Sequence, residues 1–183
     1  MNECLIWILI GVSGSGKSTI GRRFSQYLEC DYLEGDRRHS QANIMKMSEK
    51  QPLEDADRWQ WLAEIEADLR WSLDRNREVV MTCSALKTKY RKQLMSLGQV
   101  QLVLIEVPTP ILKQRLEARK DHYMSPEMFP SQIRAFEAIE PEENIITIDG
   151  SRPIDDVMSE LISKAIQRSP NLQKPWYQRS IAD

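Results

Sequence analysis

Short runs of uninterrupted apolar residues alternate along this chain with longer stretches in which apolar positions recur every three or four residues. Cys4-Leu-Ile-Trp-Ile-Leu-Ile10 is apolar without a gap, the pattern of a strand buried on both faces. Ser18 to Leu28 follows as a helix and Asp31 to Gly35 as a short second strand. From Asp57 to about Asp74, Leu62, Ile65, Leu69 and Leu73 recur at helical spacing and leave Glu64, Glu66 and Asp68 for solvent. Glu78 to Cys83 and Val100 to Val107 read as further strands, with helices from Lys87 to Leu97 and from Pro110 to Lys120. Ile145 to Asp149 is the last strand. Pro153 fits the first turn of a final helix carrying Ile154, Val157, Leu161, Ile162 and Ile166 on one face. Strands separated by helices predict an α/β fold with a mostly parallel sheet covered on both faces. There is no internal repeat or low-complexity segment. The stretch after Ser169 has no periodicity and is expected to be disordered or to pack on a neighbour.

Composition narrows the class. The 183 residues, 41% hydrophobic and 28% charged, suit one compact domain, expected over 1–168, followed by a tail at 169–183. A formal net charge of −2 gives no global electrostatic case for nucleic acid or an anionic membrane as partner. Cys4, Cys30 and Cys83 are scattered and lie in or beside apolar runs, which suits buried thiols of a reducing compartment. The N-terminal apolar run is too short to span a membrane and lacks a basic flank, so the cytoplasm is the expected location.

The strongest chemical signal is Gly11-Val-Ser-Gly-Ser-Gly-Lys-Ser18, a full match to GxxxxGK[ST] placed after a strand and before a helix. Such a loop aims successive backbone N–H groups at phosphate oxygens, and its glycines permit the curl this requires. The helix beyond adds its positive N-terminal end. Gly11, Val12, Ser13, Gly14, Ser15, Gly16, Lys17, Ser18 and Thr19 are therefore the candidate nucleotide cradle, with Lys17 reaching the β- and γ-phosphates and Ser18 ligating Mg²⁺. The bland alternative is a glycine-rich turn that binds nothing. By average composition that pattern arises by chance in on the order of one per cent of chains this long. Glu78 to Cys83 ends in no carboxylate, Val100 to Glu106 ends in a lone Glu, and NKxD is absent. A short chain without those motor and GTPase features points to small-molecule kinases.

Further blocks make the resemblance specific. Leu33-Glu-Gly-Asp-Arg-Arg-His39, Ala42-Asn-Ile-Met-Lys-Met47, Pro52-Leu53, Asp57-Arg-Trp59 and Trp61-Leu62 follow the phosphate loop in order. Cys83-Ser-Ala-Leu-Lys87 with Tyr90-Arg91, then His122-Tyr-Met124 and Ser131-Gln132, complete the series. From about residue 6 to 165 the chain resembles the gluconokinases. That resemblance implies a three-layer P-loop kinase fold with a five-stranded parallel sheet and a lid segment near 120–132. It also implies a substrate-binding helical segment near 40–75, ATP and Mg²⁺ as cofactors, D-gluconate as substrate, transfer to its 6-hydroxyl, and a homodimer.

It implies roles as well. Asp36, at the carboxyl end of the sheet, would face the attacking hydroxyl as proton acceptor or positioner. His39 would orient substrate hydroxyls, with His122 in the lid block. Lys87 and Arg91, four apart on one helix face, form with Arg58 a candidate cationic wall for a carboxylate and the transferring phosphoryl group. Arg115 and Arg119 would bring positive charge to the phosphates, Arg119 at the reacting group. Gln132 would bond substrate or hold the closed lid, and the turn Asp149 to Pro153 would hold adenine through its backbone. Trp59 and Trp61 suit core or pocket wall. Relatives commonly have aspartate where this chain has Arg37, glycine where it has Asp121, and Leu-Glu where it has Phe136-Glu137. Arg37 pointing inward would depress the Asp36 pKa; pointing outward it would meet solvent. A kinase for another small acid or polyol, such as shikimate, remains open. So do a catalytically weak ATP-binding sensor or scaffold and, with least support, a nucleic-acid-linked NTPase.

Overall fold

The computed structural model describes residues 6–118 and 129–173. In chain order it holds β1 (Ile6–Ile10), α1 (Lys17–Leu28), β2 (Asp31–Glu34), α2 (Gln41–Ser48), α3 (Asp55–Leu73), β3 (Val79–Thr82) and α4 (Thr88–Met95). There follow β4 (Val100–Glu106), α5 (Thr109–Glu117), α6 (Phe129–Ala135), β5 (Ile146–Asp149) and α7 (Ile154–Arg168). The five strands form one parallel sheet in the order β2-β3-β1-β4-β5. Ile6 pairs with Val79 on one side and with Val100 on the other.

The ungapped apolar character of β1 follows from its central place, because alternate side chains enter different cores. Trp7 and Leu9 join Ile20, Phe24, Leu112, Val157 and Leu161 under α1, α5 and α7. Ile6, Ile8 and Ile10 join Trp61, Leu62, Ile65, Leu69, Tyr90 and Leu94 under α3 and α4. Trp7 meets the Phe24 ring edge-on, with centroids 5.4 Å apart. The edge strand β5 alternates buried and exposed positions instead.

Helix boundaries have local causes. Gly16, at φ 95°, turns the chain straight into α1, and Glu29, left-handed at φ 54°, ends it. The Asp57 carboxylate accepts from Glu54 N at 2.9 Å, so α3 begins at Asp55 rather than at Asp57 as its periodicity suggested. The helical segment expected near 40–75 is two helices. Ser40 caps the first by accepting from Asn43 N, and Lys50 at φ 62° helps to separate it from the second. Pro153 lies one residue before α7, not inside its first turn. Part of the tail is ordered against this chain itself: Pro170–Gln173 forms a 3₁₀ turn that buries Leu172 in the α7-side core. The rest of the expected tail, and the cysteine at position 4, lie outside the described residues. Among the described residues no helix is long and apolar enough to cross a membrane.

Leu161 has no solvent exposure in that core. Leu161→Ala should cost about 2–5 kcal/mol of stability in urea unfolding. A loss below about 1 kcal/mol would contradict the packing of α7 on the sheet.

Candidate active site

The loop between β1 and α1 is held from its carbonyl side. Lys17 Nζ donates to Val12 O at 3.0 Å, and the Arg115 guanidinium donates to Gly150 O at 2.9 Å and Gly14 O at 3.5 Å. Gly11 N donates to Ser84 O, fixing the start of the loop against the end of β3. Gly11 must be glycine: φ is 138°, and a Cβ there would stand 2.8 Å from Ile105 O. Val12 O and Gly14 O are thus taken up by side chains, and the loop runs through Gly16 into the N-terminal end of α1, the kind of helix start that receives phosphate oxygens. Ser15 Oγ is buried and lacks a hydrogen-bond partner among the described residues. The loop opens into a cavity of about 420 Å³ bordered by Gly14, Ser15, Gly16, Thr19 and Arg115. Gly150 and Arg152, from the turn after β5, close its far side, where the adenine was expected.

On the other side of the loop, Gly35–Arg38 forms a 3₁₀ turn at the carboxyl end of β2. Trp61 Nε1 donates to Gly35 O at 2.9 Å and pins this turn to α3. Trp61 also stacks on His39, the ring centroids 4.7 Å apart and the planes 8° from parallel. Burial, helped by the nearby Arg58 charge, lowers the His39 pKa to about 4, so the ring is neutral at neutral pH. The Asn43 amide donates to Asp57 O at 2.7 Å, which orients its NH₂ group toward His39 Nδ1 at 3.4 Å. Nδ1 therefore accepts, and Nε2 carries the proton. Asp36 is half-buried within the turn. Burial pushes the Cys83 thiol pKa up, the Asp36 charge adds to this, and Lys17 and Arg58 oppose it. These three charges thus converge on the end of β3.

A second group ties α3 to α4. The Asp55 carboxylate, in the first turn of α3, accepts from Lys87 Nζ at 2.7 Å, from Lys89 Nζ and from Tyr90 OH. Those donors, Lys87 foremost, hold the Asp55 carboxyl well below the usual carboxylate range. The Arg58 guanidinium lies over the Tyr90 ring, 6.0 Å from its centroid. Arg58 and Lys87 thus sit beside one another at the mouth between the two helix starts.

A family model described as an AAA domain matches residues 6–139. A gluconokinase of Gluconobacter oxydans is 39% identical over 156 residues, covering 85% of this chain and 88% of that protein. The chain belongs to the gluconokinase family. Among solved structures, a gluconokinase from Sinorhizobium meliloti superposes with a TM-score of 0.80 at 30% identity, over 94% of this chain and 98% of that one. A sugar kinase from Janibacter sp. superposes with a TM-score of 0.83 at 31% identity, over 91% and 96%.

Set within the gluconokinase family, the residues singled out from sequence fall into three groups. Lys17, Ser18, Asp36, His39, Arg58 and Lys87 lie on elements that meet at the carboxyl end of the sheet, and Arg115 reaches under the phosphate loop. Arg119 and His122 lie outside the described residues, as does the segment 119–128 that makes up most of the expected lid. Arg91 is a correction: it does not share the wall with Lys87. It has no solvent exposure, pairs with Glu143 through Nε at 2.6 Å and Nη2 at 2.8 Å, and donates also to Leu86 O, Glu137 O and Ala138 O. Its role is to bolt α4 to the segment after α6. Gln132 reaches the phosphate loop directly, accepting from Ser13 N at 2.7 Å. Trp61 is fully buried, whereas Trp59 is half-exposed with Lys89 over its ring.

Two carboxylates were missed. Glu34 accepts from Ser18 Oγ at 2.5 Å and faces Arg22 and Arg37 at 3.3 and 3.7 Å. Arg37 is 78% exposed and turns toward Glu34, answering the question of its direction. Glu34 stands two residues before Asp36, so the end of β2 was the only signal for it. Asp55 was hidden in an acidic helix start, where capping is the ordinary expectation.

Arg91→Ala should lower stability by about 3–5 kcal/mol, since it strands the Glu143 carboxylate in the interior. Lys87→Ala should leave the melting temperature within a few degrees; equal destabilisation by both would contradict the distinction. The His39 shift has a pH consequence. The unfolded chain binds this proton near 6.5 and the folded chain near 4, so stability falls as pH drops through that window. About 2 kcal/mol should be lost between pH 7 and pH 5, and His39→Gln should flatten that dependence in urea titrations.

Proposed function

We propose that this chain transfers the γ-phosphoryl group of ATP to the 6-hydroxyl of D-gluconate, giving 6-phospho-D-gluconate. The observation that carries the reading is the phosphate loop faced across the end of β3 by Asp36, with Arg58 and Lys87 beside it, in a member of the gluconokinase family. Gluconate supplies what that arrangement recognises: a carboxylate for the cations and a chain of hydroxyls ending in a nucleophile.

The cavity beside Gly14 to Thr19 suits a nucleotide, and Ser18, Glu34 and Asp36 offer the hard oxygen donors that suit Mg²⁺. Mg²⁺, when bound with ATP, spreads the charge of the phosphates. Ser18 would hold it through the hydroxyl lone pairs, since the proton is directed at Glu34. Lys17, held over Val12 O, is placed to follow charge onto the transferring group. Asp36 accepts the hydroxyl proton or aligns the hydroxyl for in-line attack. His39, neutral and fixed by Asn43, orients hydroxyls as a donor from Nε2. Arg58 and Lys87 set the register of the substrate through its carboxylate. A homodimer in the cytoplasm, and a single domain expected over 1–168 with Leu172 of the tail packed on it, complete the reading from the family resemblance. Arg37, the feature that favoured a weakly catalytic protein, turns to Glu34 and solvent, which supports a competent site. Named gluconokinases matching over most of the chain favour gluconate over shikimate.

ATP turnover with Mg²⁺ should require gluconate in a panel that includes shikimate, related sugar acids, polyols and no acceptor. Turnover with shikimate alone, or with no acceptor needed, would overturn the reading. Lys17→Ala should abolish transfer with the fold intact, and Asp36→Ala should lower kcat by at least a hundredfold while the affinity for ATP changes little.

A further inference from the structure

Helix α6 is fixed at both ends. Phe129 is buried in the α7-side core, and beyond the helix Glu137 N donates to Leu86 O at 2.9 Å. Thr88 N donates to the Glu137 carboxylate at 2.7 Å, and Arg91 holds Glu137 O and Ala138 O. From this anchored helix the half-buried Gln132 places its amide oxygen 2.7 Å from Ser13 N, within the loop whose amides face the phosphates. A backbone N–H presents one hydrogen, so the amide oxygen and a phosphate oxygen compete for it.

We propose that Gln132 is a γ-phosphate sensor and positioning residue: its amide accepts from Ser13 N–H when no γ-phosphate is present and donates to that phosphate when it arrives. The inference rests on the nucleotide-binding reading of the loop. The exchange needs no movement of α6: side-chain torsions withdraw the amide from Ser13 N and turn it about its last torsion, which is broad and roughly two-fold. Turning the amide by half a revolution replaces a carbonyl oxygen with an NH₂ group and converts a repulsive contact into a charge-assisted hydrogen bond. ADP lacks the group that displaces the amide oxygen, so Gln132 stays on Ser13 with the product nucleotide. The residue therefore separates ATP from ADP, a role distinct from contact with the acceptor or with a lid.

Glutamate at this position keeps the acceptor and loses the donor; leucine loses both. Affinities for ADP and a non-hydrolysable ATP analogue, both with Mg²⁺ and without gluconate, are measured by calorimetry on the full chain. Gln132→Glu should weaken the ATP analogue at least tenfold and ADP less than twofold. Gln132→Leu should weaken the analogue less than Gln132→Glu does, and should speed hydrogen exchange at the Ser13 amide of the nucleotide-free protein. Equal weakening of both nucleotides, no change in either, or unaltered Ser13 exchange overturns the proposal. Failure of the unsubstituted protein to bind either nucleotide would instead overturn the functional reading beneath it.

Discussion

Lys17 on Val12 O, Arg115 on Gly14 O and Ser84 O on Gly11 N brace one eight-residue loop, and Arg115 also ties it to Gly150 O in the turn after β5. With those groups engaged from within, and with Ser15 N on Val12 O and Ser13 N on Gln132, the fold itself sets the curl of the loop and brings it into the start of α1, whose positive end suits a phosphate. The sheet order makes this possible. With β1 flanked by β3 and β4, the loop leaves the middle of the sheet and is braced from both neighbours at once. Substrates of open α/β sheets bind at this carboxyl edge, and the proposed function divides it into a nucleotide side over β4–β5 and an acceptor side over β2–β3.

The acceptor side is assembled from parts that are individually weak. Surface ion pairs such as Lys89 with Asp55 contribute little to stability. Their effect is geometric, since Asp55 draws Lys87 and Tyr90 of one helix start onto the start of another, where the Tyr90 ring lies beneath Arg58. Beneath them the Arg91–Glu143 pair is fully buried, where loss of either partner is costly. The same pair grips the backbone that leads away from α6 and so ties the acceptor wall to the helix carrying Gln132. Phosphate loop, Gln132 and the start of α4 are thereby joined through one series of hydrogen bonds.

Much of this was legible in the residue pattern. An ungapped apolar run located β1, three-four spacing located α3 and α7, and GxxxxGK[ST] located the loop between β1 and α1, because each reports a local geometry. What was not legible depended on partners far along the chain. The four-residue spacing of Lys87 and Arg91 shows that the two lie near one face; it cannot show that Glu143, 52 residues later, draws Arg91 inward. Glu34 read as strand, and only the approach of α1 to β2 makes it the partner of Ser18. The direction of Arg37 likewise depended on the 3₁₀ turn that aims it at Glu34. Helix α2, eight residues long, carries too few apolar turns for periodicity to separate it from α3.

The central claim is that the acceptor's terminal hydroxyl lies between Asp36 and the transferring phosphoryl group while its carboxylate faces Arg58 and Lys87. A crystal structure of this protein with gluconate and a non-hydrolysable ATP analogue tests it directly. The account predicts the 6-hydroxyl within hydrogen-bond distance of Asp36, in line with the γ-phosphate, and the carboxylate within ion-pair distance of Lys87 or Arg58. Gluconate bound the other way round, or away from the ends of β2 and β3, would contradict it.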